Sequence, residues 1–172
     1  TILPPLSPEE QLETSMIYSI RGGLDGSTPL IMERPFVRVT PGMTGVNILG
    51  GGNEPLPGEM SMAHNGVFFM DEFLEFDRRK IEALRKPLEE KRILMIRRGM
   101  SYSYPADVIF IAASNPCKCG YFGDPEKECR CTPYELEAYR SKLSGPLADR
   151  IDMSVSIQRV RYESLSEAVS DD

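Results

Sequence analysis

The sequence of 172 residues has no long apolar run. No stretch approaches the roughly 20 consecutive apolar residues that a membrane-spanning helix needs. The first five residues, Thr1 to Pro5, also lack the charged and apolar parts of a signal peptide. We therefore predict a cytoplasmic protein without membrane contact, long enough for one domain with its own hydrophobic core.

An overall excess of positive charge is also absent, because the formal net charge is −6. This value argues against nonspecific binding of nucleic acid by the whole surface. The charge is unevenly spread, however, since residues 77–98 include nine basic and four acidic side chains, a local charge of +5. A solvated helix face explains most of this excess, and a surface that faces a polyanion is the alternative.

Cysteine is confined to fifteen residues, as two Cys-x-Cys pairs separated by nine residues: Cys117, Cys119, Cys129 and Cys131. Two short chelating pairs can close a tetrahedral cage of four sulfurs, and in a reducing cytoplasm a zinc cage outlasts disulfides. The cluster favours zinc over two disulfides or four free thiols. The only histidine, His64, has no evident ligand partners and is interpreted as structural.

Four large apolar residues, Val67 to Met70, are followed by two adjacent carboxylates, Asp71 and Glu72. An apolar run of this length predicts a strand buried on both faces of a parallel sheet, and ligands bind at the carboxyl ends of such strands. The pattern is typical of a Walker B motif, in which the Asp holds magnesium and the Glu orients or deprotonates water. The alternative is a strand that ends in a solvated acidic turn.

A second apolar strand is predicted at Val108–Ala113, and it ends at the polar residues Ser114 and Asn115. If the two strands lie side by side, Asn115 can hydrogen-bond the water that Glu72 activates, which is the role of a sensor 1 residue.

Arg150 lies between a predicted helix and a predicted last strand at Val155–Ile157. From there it could reach a neighbouring subunit and stabilise a transferring phosphate. The alternative is a salt bridge to Asp149 or Asp152.

Local signals predict the remaining elements. Capping boxes at Ser7 and Thr132 open helices that run to about Ile20 and toward Leu143, and Asp77 is the predicted N-cap of a helix that runs to about Glu90. The segment 34–58 is rich in glycine and proline and is predicted to be a long irregular insertion, with the triplet 50–52 as a flexible loop.

A β-hairpin is predicted from two short strands, residues 93–96 and 101–104, with Gly99 in the turn. Its tip would carry Arg97 and Arg98, which are candidate contacts to DNA.

Several short sequence motifs occur in a characteristic order along the chain. They are Arg34-Pro35-Phe36, Leu49-Gly50-Gly51-Gly52, Pro57-Gly58-Glu59, Ala63-His64-Asn65-Gly66-Val67 leading into Asp71-Glu72, Asn115-Pro116-Cys117, Cys129-Arg130-Cys131-Thr132, and Leu143-Ser144-Gly145-Pro146-Leu147 leading into Asp149-Arg150-Ile151-Asp152. In this order they closely resemble the magnesium-chelatase-like AAA+ family, particularly its bacterial ComM/YifB branch, over nearly the whole chain.

The resemblance implies an α/β fold: a partial AAA+ αβα core at residues 1–160 with a mostly parallel sheet, a pre-sensor 1 hairpin and a Cys-rich loop. Residues 161–172 would form a tail that leads toward a helical lid. Asp71 would hold Mg-ATP, Glu72 and Asn115 would act on the attacking water, and Arg150 would be an arginine finger that acts in trans in a homo-hexamer. The ComM branch resembles helicases that drive branch migration of DNA.

The family's P-loop, G-x-x-x-x-G-K-[ST], does not occur in these 172 residues. The resemblance places it immediately before Leu3, so we expect a fragment that lacks the P-loop and the lid, binds ATP poorly and is inactive by itself. A smaller departure is Thr40-Pro41, where the branch usually has two histidines.

Two other functions stay open at this stage. One is a chelatase-type motor that acts on a protein partner. The other is a zinc-stabilised module that binds nucleic acid through Arg97 and Arg98 without catalysis.

Overall fold

The structure, a computed structural model, describes residues 2–24, 29–143 and 145–157. These ranges contain the following helices and strands: α1 (Pro8–Ile20), β1 (Phe36–Val39), α2 (Gly45–Leu49), β2 (Gly50–Gly51), β3 (Leu56–Pro57), α3 (Glu59–Met62), β4 (Val67–Met70), α4 (Arg78–Ala83), α5 (Arg85–Glu90), β5 (Arg92–Arg97), β6 (Met100–Pro105), β7 (Ile109–Ala112), α6 (Pro133–Arg140) and α7 (Gly145–Ala148). A 3₁₀ turn, Phe73–Glu75, lies between β4 and α4.

A parallel sheet in the order β1-β4-β7 organises the domain. Val67 of β4 pairs with Phe36 on one side and with Ile109 on the other, and this register continues to Met70, which pairs with Val39 and Ala112. The two strands that were predicted to lie side by side, β4 and β7, are therefore neighbours. The α/β class with a parallel sheet is confirmed.

The two faces of this sheet differ in their surroundings. Because side chains alternate along a strand, Val39, Phe68 and Met70 share one face, where all three are fully buried in the hydrophobic core. The opposite face, which we call the open face, carries Phe36, Phe69, Ile109 and Ile111, and Phe36 stays 64% exposed.

The predicted burial of β4 on both faces holds for Val67, Phe68 and Met70, whereas Phe69 on the open face is half-buried. In β7, Ile109 and Ile111 are exposed because this strand is an edge of the described sheet.

Helices α4 and α5 cover the core side. Asp77 caps α4 as predicted, and Ile81 and Leu84 are fully buried in the core, with Leu88 packed against it. The single predicted helix is divided at Leu84. Pro87 explains the division, because it cannot donate to the carbonyl of Ala83 and its ring clashes with that residue.

The prediction of an irregular insertion at residues 34–58 is wrong. This segment contributes β1 to the central sheet, and it also forms α2 and the small antiparallel pair β2-β3. The glycine triplet is ordered by this pairing, in which Gly50 opposes Pro57. Gly50, Gly51 and Gly52 all have positive φ, which only glycine adopts without cost. The three glycines are therefore required by the backbone conformation of this turn.

Arg34 connects the start of the chain to the turn before β4. Its guanidinium donates to both carboxylate oxygens of Glu10, to the carbonyls of Pro4 and Pro5, and to the carbonyl of Asn65 over 2.6 Å. The side chain is only 18% exposed. This arginine thereby fixes α1 against the amino end of the central strand.

Local predictions at both ends of the chain have different outcomes. The capping boxes of α1 and α6 are present, with Ser7 and Thr132 as N-caps. The predicted last strand at Val155–Ile157 is wrong, because these residues are exposed and form no strand. The tail 161–172 lies outside the described residues. No helix of the described part is long and apolar enough to cross a membrane.

Candidate active site and metal centre

The carboxyl ends of β4 and β7 bring the predicted site residues to one edge of the sheet. Backbone pairing continues past both strands, since Ala113 N–H donates to Met70 O over 2.9 Å and Phe73 N–H donates to Ala113 O over 2.8 Å. Asp71 and Glu72 therefore leave β4 beside the point where Ser114 and Asn115 leave β7.

Both carboxylate oxygens of Asp71 have partners. Oδ1 accepts the backbone N–H of Glu72 over 2.9 Å, and Oδ2 forms an ion pair with Nη2 of Arg38, a residue of β1. Carboxylate and carboxamide oxygens are the hard ligands that Mg²⁺ prefers. The carboxylate of Asp71 could therefore offer a ligand to a magnesium ion once Arg38 moves away from it.

Glu72 has a left-handed backbone conformation, with φ 51° and ψ 43°. This conformation is uncommon for a residue with a side chain and costs on the order of 1 kcal/mol. It ends β4 abruptly and starts the 3₁₀ turn Phe73–Glu75. The exposed carboxylate of Glu72 therefore stands at the carboxyl end of the strand.

Ser114, next to Asn115, links this edge to α6. Its hydroxyl accepts the N–H of Leu74 over 3.4 Å and lies 3.4 Å from the hydroxyl of Tyr139, whose pKa is raised by burial. Lys142 donates to the carbonyl of Leu74 over 2.6 Å. The loop that carries Asn115 is thus held by contacts on both sides of the site.

Arg150 follows α7, and its Nη2 lies 3.0 Å from Oε1 of Glu89, at the end of α5. The alternative predicted from the sequence was a salt bridge of Arg150 to Asp149 or Asp152. The salt bridge is present, but its acidic partner is Glu89. Both members of the observed pair are partly exposed, 36% for Arg150 and 53% for Glu89.

The hairpin is confirmed, and its tip is a two-residue turn formed by Arg98 and Gly99, both with positive φ. Arg97 and Arg98 are exposed at this tip. Its base is anchored by Tyr104, whose hydroxyl donates to Pro55 O over 2.6 Å. The structure therefore separates a fixed base from an exposed basic tip.

The four cysteines converge as the spacing predicts. Their sulfur atoms all lie within 4.8 Å of one another, and Cys117 Sγ is 3.3 Å from that of Cys119 and 3.7 Å from that of Cys129. A tetrahedral zinc ion with bonds of about 2.3 Å separates its sulfurs by about 3.8 Å. Four reduced sulfurs at this spacing fit a zinc ion.

The thiols of the cluster influence one another. Backbone N–H groups of the loop lower the pKa of Cys119 to about 6, whereas burial and the neighbouring sulfurs raise the pKa of Cys129 to about 12 and also raise that of Cys131. Zinc binds thiolates, so the thiols that are still protonated would release their protons when the metal binds. The cluster could therefore hold a metal ion.

His64 is buried and satisfied, as predicted. Its Nδ1 accepts the N–H of Asp107 over 3.1 Å, which leaves the proton on Nε2, 3.4 Å from the carboxylate of Glu13.

Sequence reasoning missed Arg38 and the structural role of Arg34. The available signal for Arg38 was the alternation Phe36-Val37-Arg38-Val39, which is typical of a strand with one exposed face. The glycines and prolines on either side of that short run obscured it.

Comparison with known proteins identifies the family. The family model described as "Magnesium chelatase, subunit ChlI" matches residues 1–165. The uncharacterized protein Rv2897c of Mycobacterium tuberculosis is 42% identical over 168 residues, which is 97% of this chain and 33% of that protein.

Two further relatives have similar coverage. YifB of Salmonella typhimurium is 42% identical over 156 residues, 91% of this chain and 30% of its own length. Competence protein ComM of Haemophilus influenzae is 34% identical over 165 residues, 95% of this chain and 32% of its own length. The chain spans about a third of the length of these curated relatives. With the strand order and the site geometry, these matches establish that the chain belongs to the magnesium chelatase subunit ChlI family, as an AAA+-like member similar to YifB and ComM.

Proposed function

We propose that this chain is part of an AAA+ ATPase that couples ATP hydrolysis to the remodelling of DNA, as a branch-migration helicase of the ComM type does. The observation that carries the proposal is the adjacent, parallel placement of β4 and β7, which supports one site shared by Asp71, Glu72 and Asn115. Family membership supports the use of nucleotide and Mg²⁺.

Each residue has a distinct role in this proposal. When bound, Mg²⁺ supplies charge neutralisation for the phosphates of ATP. Asp71 holds the metal through its carboxylate. Glu72 orients the attacking water and accepts its proton, and Asn115 donates or accepts a hydrogen bond that fixes the same water.

Arg150 acts on the site of a neighbouring subunit in a homo-hexamer. A guanidinium supplied to the transferring phosphate across an interface is worth about 10³ to 10⁵ in rate. Its ion pair with Glu89 is partly exposed, and exposed pairs of this kind contribute little stability. Exchange of Glu89 for a phosphate oxygen is therefore energetically accessible.

The hairpin tip contacts DNA through Arg97 and Arg98, whose charges bind the phosphate backbone. The zinc-bound cysteines keep the loop after Asn115 in place, because this loop has few apolar residues of its own.

The test of the ATPase is the variant Glu72→Gln in the full-length protein that carries this sequence. We expect at least a 10²-fold loss of ATP hydrolysis with nucleotide binding retained, because the amide cannot accept the proton of water. Unchanged hydrolysis would reject Glu72 as the base and would favour a binding module without catalysis.

The test of DNA remodelling uses the double variant Arg97→Gln and Arg98→Gln. Arg78→Gln with Arg79→Gln is the matched control, since it removes two exposed charges from α4. We expect the tip variant alone to lose unwinding of branched DNA while it retains ATP hydrolysis. Equal losses in both variants, or no unwinding by the unaltered protein, would oppose the DNA assignment and favour a motor that acts on a protein partner.

A further inference from the structure

Arg38 is the one residue of β1 whose charged group reaches the candidate active site in the described part of the chain. It lies opposite Phe69 in the sheet register, two residues before Asp71 on the neighbouring strand. Alternation places Arg38, Phe69 and Asp71 on the open face. The ion pair of Arg38 with Asp71 therefore lies on the same side of the sheet as the exposed residues Phe36 and Ile111.

The pair involves the metal-binding atoms themselves. Oδ1 of Asp71 accepts the N–H of Glu72, and Oδ2 accepts the guanidinium of Arg38. A cation that approaches this carboxylate would therefore compete with two hydrogen-bond donors. An arginine side chain carries five N–H donors, no acceptor and a permanent charge, so it cannot become a second ligand. It can only repel a divalent ion held by the same carboxylate.

The exposure of the pair makes it exchangeable. The side chain of Arg38 is 60% exposed and that of Asp71 is 28% exposed. Exposed ion pairs contribute little net stability, because water solvates both partners when they separate. Arg38 can therefore leave Asp71 without disruption of the core.

We propose that Arg38 is a resident counter-ion of Asp71, and that a small divalent cation binds Asp71 only when the guanidinium withdraws. This inference rests on the proposed role of Asp71 in binding Mg²⁺ and adds a positioning residue that sets the affinity. Removal of the guanidinium is expected to strengthen metal binding at this site, whereas loss of an ordinary structural arginine would weaken it or leave it unchanged.

The test follows Mn²⁺ binding to the ¹⁵N-labelled chain at low ionic strength, through paramagnetic broadening of amide signals. The amides of Glu72, Phe73 and Asn115 report the site. In Arg38→Met the Mn²⁺ concentration for half-broadening is expected to fall at least about three-fold, since a charge near the ion is removed. Arg38→Lys retains the charge and is expected to stay near the unaltered protein.

Two controls separate the possible failures. Arg78→Met removes the same charge from α4 and is expected to leave the half-broadening concentration unchanged, while Asp71→Asn is expected to abolish broadening at these amides. Equal Mn²⁺ affinity in Arg38→Met and the unaltered protein would overturn the counter-ion proposal and leave the role of Asp71 intact. Broadening that persists in Asp71→Asn, or its absence in every variant, would overturn both.

Discussion

The backbone of Gly58 runs so close to that of Gly50 that a Cβ atom on Gly58 would lie 2.2 Å from the Gly50 nitrogen. Carbonyl groups of the preceding helix α2 are similarly near, with Ile48 O at 2.6 Å. This contact joins α2, the β2-β3 pair and α3 at one point. The glycines of this segment therefore allow close packing of the backbone. The same segment contains Pro55, whose carbonyl accepts the hydrogen bond from Tyr104 at the base of the hairpin.

Gly58→Ala is expected to destabilise the protein by at least about 2 kcal/mol, because the nearest neighbours of the new methyl group are backbone atoms that cannot rotate away. The φ of Gly58 is −87°, so the loss would reflect the contact and not backbone strain. Thermal unfolding measures the effect. Gly45→Ala is the control, since a Cβ there meets no atom within 4 Å; equal melting temperatures for the two variants would contradict the prediction.

Arg34→Met is expected to lower the free energy of unfolding by about 2 to 4 kcal/mol, since it removes the guanidinium that donates to three carbonyls and to the Glu10 carboxylate. Arg34→Lys should recover only part of the loss, because an ammonium cannot form the two parallel bonds to Glu10. Urea unfolding is the measurement. Arg21 is the more exposed of the two arginines and has one ion pair, with Glu59, so Arg21→Met should cost less than about 1 kcal/mol; a similar cost at both arginines would refute the role of Arg34.

Glu10 should make the stability of the protein depend on pH in acid. The N–H of Ser7 and, secondly, Arg34 hold the pKa of Glu10 below its ordinary value of 4.5. Its stabilising effect is therefore complete above pH 4.5 and is lost as the pH falls below that value through the folded pKa. Urea midpoints measured between pH 7 and pH 3 should fall less steeply in Glu10→Gln, and an unchanged slope would show that Glu10 is not responsible.

Protein purified without added metal is expected to contain about one zinc ion per chain. Replacement by Co²⁺ should give the visible and sulfur-to-metal charge-transfer bands of a tetrahedral thiolate site, and removal by a chelator should lower the melting temperature. Cys119→Ser should lose both the metal and the bands. Substoichiometric metal with four titratable thiols would reject the site.

The isolated chain is expected to hydrolyse ATP no faster than buffer, because no lysine-bearing glycine loop is present in its 172 residues to hold the phosphates. Phosphate release by purified chain, compared with its Glu72→Gln variant, is the measurement. Robust turnover that the variant abolishes would show that the phosphates are bound by other means.

Local signals explain what the sequence predicted well. Each capping box needs only four consecutive residues, as at Ser7 and Thr132, and the hairpin needs only Arg98-Gly99 between two short strands. The clustering of the cysteines is likewise local, since only nine residues separate the two Cys-x-Cys pairs. In these cases the determining contacts lie within a few residues of the signal.

Long-range contacts explain what was missed. β1 becomes a strand because β4 offers it a partner about 30 residues away, and the prolines and glycines around it gave the opposite local signal. The pairs Arg38–Asp71 and Arg150–Glu89 join residues from separate elements, so no spacing along the chain indicates them. The exposure of β7 depends on its place at the sheet edge, and apolar composition alone cannot reveal that place.

The strand order has a consequence for how the chain folds. β4 pairs with strands about 30 residues before it and about 40 residues after it, so the described part of this sheet contains no pair of strands adjacent in sequence. Two large loops must close before the sheet gains its hydrogen bonds, and such topologies fold slowly compared with helical bundles or hairpins. The β5-β6 hairpin and α1 are local enough to form early, whereas the edge that carries Asp71 and Asn115 is expected to be among the last regions to assemble.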